Sequence, residues 1–215
     1  MIGRLQRWLQ GARSTRAPAG DERWIVVDTE TTGLDIRRDR LLAIGGVAVR
    51  AEGIVPQDSF EIVVRNDAVS DSANVVVHGI GHAAQRGGVV AREALVAYRA
   101  WAGAAPAVGF HADFDRTVLA VAAAKAGLPA DRRRWLDLAP LAAMLAPRAI
   151  GSADDLDGWL AAYAIECPVR HNAAADALAT AQLLLRLRAL AAEQGVHGYA
   201  GLARIARERR WLGPH

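Results

Sequence analysis

An apolar strand that ends in two carboxylates constrains the fold of this chain more than any other feature. Residues 24–27 read Trp-Ile-Val-Val, a run that favours an extended strand, and Asp28 and Glu30 follow it. Side chains two residues apart on a strand point to the same face, so these two acids are expected to lie side by side. Two adjacent carboxylates repel each other unless a cation lies between them, and Mg²⁺ or Mn²⁺ is the natural choice because both prefer oxygen ligands. Two solvated acids at a strand end are the alternative that this short pattern leaves open.

The order of the predicted elements indicates an α/β domain with a mixed sheet. Further strands are predicted at 41–50 and 60–65, and three strands in succession without a helix indicate an antiparallel meander. After residue 90 the pattern changes to alternating strands and helices, and then to helices alone. The predictions for this second part are strands at 107–111 and 135–138 and helices at 91–102, 114–126, 139–146, 154–163, 173–194 and 199–209. Such a chain forms a mixed sheet with helices packed on it.

Composition and charge favour a protein of the reducing cytoplasm. No apolar run approaches the roughly 18 residues that a membrane helix needs, and Arg4 and Arg7 lie where a secretion signal would be apolar. The single cysteine, Cys167, cannot form a disulfide within the chain. Lys125 is the only lysine, and the arginines that supply the other positive charges can each donate two parallel hydrogen bonds to a phosphate. The charge therefore gives weak support to a nucleic-acid partner and none to a membrane partner.

The residues around the two acids resemble the first motif of the DnaQ-like 3′-to-5′ exonucleases. That motif typically reads Asp-x-Glu-Thr-Thr-Gly at the end of the first strand, and residues 28–34 read Asp-Thr-Glu-Thr-Thr-Gly-Leu. The second motif of the family is a strand that ends in His-Asn-x-x-Phe-Asp, and residues 107–115 end in Phe-Asp. The family's metal ligand is the aspartate after the phenylalanine, so the resemblance assigns Asp115 rather than Asp113. Residues 110–111 depart from the family, because they read Phe-His where His-Asn is usual.

The third motif of the family is His-x-x-x-x-Asp at the start of a late helix, and His171 and Asp176 have that spacing. Five residues of α-helix turn through about 500°, so a histidine and an aspartate inside one helix would not share a face. His171 is therefore expected on the loop before the helix, from which it reaches back over the site. The alanine-rich sequence that follows is consistent with a helix that starts near Asn172 or Ala173.

The resemblance covers about residues 24–190 and implies a ribonuclease H-like α/β fold with a sheet of about five strands flanked by helices. It implies hydrolysis with two divalent ions, Mg²⁺ or Mn²⁺, and a general base, His171, that takes the proton of the attacking water. The implied metal ligands, which are also the other catalytic residues, are Asp28, Glu30, Asp115 and Asp176. The residues implied to contact the 3′-terminal nucleotide are Thr31, Thr32, Leu34 and, in a Val-His-Gly-Ile segment, His78.

The motifs leave the substrate open, because the same ligands serve DNA and RNA. Thr-Thr-Gly in the first motif gives weak support to the DNA-directed branch of the family, and such a site is expected to prefer single-stranded or frayed 3′ ends. Two alternatives are an exonuclease that acts on RNA or short oligoribonucleotides and a non-catalytic nucleic-acid-binding module. Neither Gln182 nor Gln194 starts a convincing clamp-docking segment. A stand-alone or accessory enzyme of repair or proofreading is therefore expected rather than a replicative proofreading subunit.

The predicted domain organisation has three parts. Residues 1–22 are expected to be a basic flexible arm, 23–198 the exonuclease domain, and 199–215 a C-terminal helix and tail. The arm and the tail are the segments expected to contact a protein partner.

Overall fold

Five strands form one mixed sheet in the order β3-β2-β1-β4-β5 in the computed structural model, which describes residues 22–36, 38–67, 79–147 and 155–212. β1 pairs antiparallel with β2, and β2 pairs antiparallel with β3. β4 pairs parallel with both β1 and β5. The strands are β1 (Trp24–Thr31), β2 (Leu41–Arg50), β3 (Gly53–Val63), β4 (Ala107–Gly109) and β5 (Trp135–Asp137). The antiparallel meander, the mixed sheet and the ribonuclease H-like fold are confirmed.

Helices cover both faces of this sheet and divide the core in two. Along β1 the side chains alternate, so that Ile25 and Val27 face one part of the core and Trp24 and Val26 face the other. Helices α2 and α3 pack on the first part, and α4 to α7 pack on the second. The helices are α1 (His82–Gly87), α2 (Ala91–Ala102), α3 (Asp113–Lys125), α4 (Leu138–Leu145), α5 (Leu156–Ala162), α6 (Ala173–Glu193) and α7 (Gly198–Leu212). None of the described helices is both long and apolar enough to cross a membrane.

The structure differs from the sequence-based prediction at two elements. β3 begins at Gly53. The sequence analysis placed its start at residue 60, because Pro56 indicated a loop. A proline is tolerated there since β3 is an edge strand, with one side free of backbone partners in the sheet. Helix α1 was not predicted, and tertiary contacts hold this short helix: Gln85 is fully buried and its carbonyl oxygen accepts from the Asn66 amide at 2.9 Å.

The C-terminal helix shares the core of the main body. Tyr199, Leu202 and Ile205 of α7 are buried in the same cluster as Trp24 and the helices α4 and α6. The predicted boundary after residue 198 coincides with the start of α7, and the assignment of separate domains there stays a prediction. The predicted basic arm, except for Glu22, lies outside the described residues.

Helix α6 lies directly on the sheet at Gly45 of β2. A Cβ atom at Gly45 would lie 2.1 Å from the carbonyl carbon of Ala173 and 2.2 Å from its oxygen, which is closer than any real side chain approaches. Gly45 is also the residue of β2 that pairs with Asp28 in the antiparallel register. The missing side chain therefore allows the first turn of α6 to come close to the end of β1.

Gly45→Ala is expected to push α6 away from the sheet. Overpacking of this kind costs about 1–3 kcal/mol of unfolding free energy, and the displacement of the helix that carries Asp176 should lower hydrolysis by about 100-fold. Thermal unfolding and initial rates measure the two effects. Gly87→Ala is the matched control, because a Cβ at Gly87 would meet nothing within 4 Å. Equal melting temperature and rate in wild type and Gly45→Ala would contradict the close approach.

Candidate active site

Three of the predicted carboxylates form one cluster at the end of β1. Asp28 and Glu30 lie two residues apart on that strand, and Asp176 lies in the first turn of α6. Each offers a carboxylate oxygen, and these oxygens all lie within 4.8 Å of one another. The strand alternation that places the first two acids on one face and the contact of α6 with the sheet at Gly45 together bring the three groups into one place.

Asp115 is held beside this cluster by a residue that the sequence analysis did not assign. It lies in the first turn of α3 and is 4% exposed. The hydroxyl of Thr29, which lies between Asp28 and Glu30 on β1, donates to the Asp115 carboxylate at 2.7 Å. Thr29 thus links β1 to α3 from the opposite face of the strand. Its place in the alternation was the available signal, since a polar residue between two ligands must point away from them.

A loop before α6 carries the predicted general base. The helix begins after Asn172, whose side chain accepts a hydrogen bond from the Ala175 amide at 3.0 Å as an N-cap. His171 therefore lies outside the helix, as predicted, and is exposed. Its backbone has a left-handed φ of 57°, which is uncommon for a residue with a side chain. Its amide donates to Asp176 at 3.0 Å, so the loop and the ligand are joined by a hydrogen bond.

A cation of the protein also contacts the cluster. The guanidinium of Arg170 forms ion pairs with Asp176 and with Asp157 of α5. Sequence analysis did not assign either Arg170 or Asp157 to the site. The sequence signal was weak, because the link from Arg170 to α5 becomes visible only in the fold.

Burial and mutual repulsion act on the carboxylates of the cluster. Burial is the largest cause that raises the pKa of Glu30, to about 8, and the charges of Asp176 and Asp115 raise it further. Burial and the neighbouring acids also raise the pKa of Asp28 well above its ordinary value. Burial raises the pKa of Asp115 to about 7, although the hydrogen bond from Thr29 lowers it. The protein itself therefore supplies too little positive charge to hold all these groups ionised.

The donor set fits a hard divalent cation. All four predicted ligands are carboxylates, which are the ligands that Mg²⁺ and Mn²⁺ prefer. A divalent cation among them would compensate the charge that raises their pKa values, because an opposite charge nearby favours the ionised form. The residues that would hold it are Asp28, Glu30, Asp176 and Asp115.

Comparison with known proteins identifies this arrangement. Residues 25–184, which include all four carboxylates and His171, match the family model of the RNase_T exonucleases. The chain belongs to the RNase_T exonuclease family. The acids that the resemblance assigned to the first, second and third motifs lie on β1, α3 and α6 of this fold.

Curated proteins and solved structures include relatives of this exonuclease. It is 26% identical over 186 residues to a DNA polymerase III of the PolC type from Caldanaerobacter subterraneus subsp. tengcongensis, a match that covers 86% of this chain and 13% of that protein. The fold is similar to that of exonuclease I of E. coli in complex with a dT13 oligonucleotide, with a TM-score of 0.69 and 16% identity over 80% of this chain and 42% of the other. It is similar also to exonuclease X in complex with 5′ overhanging duplex DNA, with a TM-score of 0.65 and 23% identity over 85% and 99% of the two chains.

Three of the predicted substrate-binding residues, Thr31, Thr32 and Leu34, lie at the end of β1 and in the loop after it. Thr31 donates from its hydroxyl to the carbonyl oxygen of Gly33 at 2.6 Å, and the hydroxyl of Thr32 donates to Asp39 at 2.8 Å. The two threonine side chains thus shape the loop, and the Thr32 amide donates to the carbonyl oxygen of Arg40 at 3.0 Å. Leu34 is 85% exposed, so its side chain is available for contact. His78 lies outside the described residues, and its role stays a prediction.

Glu30→Gln is expected to flatten the pH dependence of stability of the metal-free exonuclease. The pKa of Glu30 is higher in the folded state than its ordinary value of 4.5, so the folded state binds this proton more tightly than the unfolded state. Stability present below pH 4.5 is therefore lost as the pH rises to about 8. Melting temperatures of chelated wild type and variant across this range measure the difference.

Manganese supplies the control for this prediction. Ligand binding to the folded state raises stability with concentration, so Mn²⁺ at about pH 8 should raise the melting temperature of wild type more than that of Glu30→Gln. Parallel curves of melting temperature against pH for the two chelated proteins would show that folding does not raise the pKa of Glu30.

Proposed function

We propose that this exonuclease uses two divalent ions, Mg²⁺ or Mn²⁺, to release nucleoside 5′-monophosphates from single-stranded or frayed 3′ ends of DNA. The observation that carries the proposal is the cluster of Asp28, Glu30 and Asp176, within 4.8 Å of one another and next to the buried Asp115. Such a concentration of carboxylates without a matching number of protein cations is costly unless divalent cations bind there. Bound ions would supply charge stabilisation to the phosphate at which hydrolysis takes place.

His171 is proposed as the general base. It lies on the loop that precedes α6, and its amide is bonded to Asp176, so the backbone of His171 is held next to the carboxylate cluster. The imidazole would accept a proton from water as the water oxygen forms a bond to phosphorus. The bond from phosphorus to the 3′-oxygen breaks, and that oxygen takes a proton to leave a shortened strand with a 3′-hydroxyl. The released product is a nucleoside 5′-monophosphate.

A cavity next to the first motif supports binding of a nucleotide at the strand end. It has a volume of 310 Å³ and is lined by Thr31 and Gly33 of the loop after β1. Its other walls are largely apolar, as a nucleobase and a sugar require, and its basic lining residues are Arg40, Arg65, Arg92 and Lys125. The exposed side chain of Leu34 is proposed to contact the terminal nucleotide from the same loop.

DNA is proposed as the substrate because solved structures of similar fold hold DNA, a dT13 oligonucleotide in one and 5′ overhanging duplex DNA in the other. An RNA-directed enzyme is the second candidate, and it would distinguish the sugars by contacts to the 2′-hydroxyl.

A role in repair or proofreading, alone or as an accessory enzyme, is part of the proposal. The relative with a polymerase name is matched over only 13% of its length, so association with a polymerase, through residues 1–22 or 199–215, is likewise a proposal. A cytoplasmic location is also proposed, because the single cysteine, Cys167, cannot form a disulfide within the chain. Its thiol lies 3.5 Å from Asp176.

Asp28→Ala is expected to abolish hydrolysis while the protein stays folded, because it removes a metal ligand and also relieves carboxylate repulsion. The measurement is a time course on DNA and RNA oligomers of matched sequence, labelled at the 5′ end, with Mg²⁺, with Mn²⁺ and with a chelator. Wild type should give a metal-dependent ladder that shortens from the 3′ end, faster on DNA. Near-normal rates in Asp28→Ala would rule out the metal site, and a faster RNA ladder would select the second candidate. Salt-sensitive binding with no hydrolysis by wild type would favour the non-catalytic alternative.

His171→Ala is expected to lower turnover by about two to four orders of magnitude, the usual contribution of a general base. Substrate affinity should change little, since the carboxylates remain. His197→Ala is the matched control, because His197 is exposed and lies at the far end of α6, before α7. A loss of affinity at unchanged turnover would assign His171 to substrate binding instead.

A further inference from the structure

A cavity of 510 Å³ lies on the face of the sheet that α2 and α3 cover, outside the carboxylate cluster. The second half of α2, the first two turns of α3 and the loop before β5 form its walls. The volume lies within the range of pockets that bind small molecules, about 300–1,000 Å³. Its charged residues are Arg99, Arg116, Asp131, Arg132 and Arg133. Arginines therefore outnumber carboxylates four to one among the described residues that line it.

Three of these arginines are fixed in place by the protein. Arg133 has a side chain that is 5% exposed and donates to the carbonyl oxygen of Ala105 at 2.6 Å. Arg99 donates to the carbonyl oxygen of Pro129 at 2.8 Å. Arg116 forms an exposed ion pair with Asp113 at 3.1 Å, which leaves part of its guanidinium for another partner.

Arg132 differs from the other three. It is exposed at the cavity and makes no hydrogen bond or ion pair with another residue in the part of the chain that the structure describes. Asp131, its neighbour, is engaged by Arg133 at 3.3 Å. The cavity thus presents a free guanidinium beside a set of immobilised positive charges, an arrangement suited to a phosphate.

Apolar and aromatic residues also line the cavity. Leu95 and Leu119 line it together with the ring of Tyr98, and the Arg133 guanidinium lies 5.8 Å from the centre of that ring. Trp135 of β5 lines it too and is only half-buried, so part of its indole can contact a ligand. Apolar and aromatic surface together with arginines matches the two parts of a nucleotide, because a base stacks on aromatic surface while a phosphate pairs with guanidinium groups.

The cavity borders the active site along α3. Arg116 directly follows Asp115, and neighbouring residues in an α-helix point about 100° apart with a rise of about 1.5 Å. Asp115 is buried against β1 through Thr29, whereas Arg116 faces the cavity. A strand whose end lies at the carboxylates can therefore pass over the first turn of α3 to reach the arginines.

We propose that this cavity binds one nucleotide of a single-stranded DNA chain, with its base against Leu119 and Trp135 and its phosphate on Arg116 and Arg132. The same chemistry can come from two sources, the strand being degraded or the free 5′-monophosphate that is released. The geometry of α3 favours the strand. The choice of DNA as ligand rests on the proposed function, but binding is measured without hydrolysis.

Arg132→Glu tests the proposal in the full chain. In the presence of a chelator, fluorescence anisotropy with a labelled single-stranded DNA oligomer gives the dissociation constant over a series of salt concentrations. The variant should bind about five- to tenfold more weakly, and the slope of log K against log salt should fall by about 0.7 for one lost phosphate contact. Arg186→Glu is the matched control, since Arg186 is exposed on α6, outside the cavity, and its reversal changes the net charge equally.

Unlabelled dAMP identifies the source of the nucleotide. Binding of dAMP to wild type that is lost in Arg132→Glu would assign the cavity to the released monophosphate, and weakened oligomer binding without any dAMP effect would assign it to the strand. Equal affinity of Arg132→Glu and Arg186→Glu for both probes would overturn the proposal. Circular dichroism confirms that the variants are folded. Wild type that binds the oligomer through Arg132 but hydrolyses nothing with Mn²⁺ would contradict the proposed function and leave this site standing.

Discussion

The distance between α6 and the sheet, set by Gly45, is the constraint on which the site depends. Any side chain at this position would meet the backbone of Ala173. Because the helix lies so close, its first turn brings Asp176 to the strand end that carries Asp28 and Glu30. The amide groups of a helix N-terminus carry partial positive charge, so the same approach lowers the electrostatic cost of gathering the acids. The close packing of α6 and the lower electrostatic cost of the cluster therefore both depend on the absence of a methyl group at Gly45.

The carboxylate cluster destabilises the metal-free folded protein. Burial and repulsion raise the pKa values of Asp28, Glu30 and Asp115, which means that the folded protein destabilises their charged forms. The apolar layers on both faces of β1 hold the strand in place despite this cost. Arg170 offsets a part of it through Asp176. Natural proteins accept such local conflicts where function requires them, and the proposed divalent cations would relieve this one.

Local sequence patterns predicted most of the helices and strands. They did not predict contacts between residues that are distant in sequence. β2 and α2 were predicted with the bounds that the structure shows, because each combines an apolar pattern with a clear end. The start of β3 was missed, since Pro56 is acceptable on an edge strand and at a break in the register, and both depend on how β3 pairs with β2. The acids of the site were assigned because their spacing in the sequence resembles the three motifs of the family. The bond from Thr29 to Asp115 joins residues 86 positions apart, and no local pattern specifies it.

The hydrogen bond from the His171 amide to the Asp176 carboxylate fixes more than one distance. It closes a ring of chain that contains the left-handed residue His171 and the N-cap residue Asn172. Residues 173–175 inside the ring are all alanine, so their identity carries little chemistry. Their number matters instead: an insertion or deletion of one residue would rotate the acid about 100° around the helix and break the ring. Positions 174 and 175 should therefore tolerate changes of residue type far better than changes of length, whereas Ala173 is buried against the sheet.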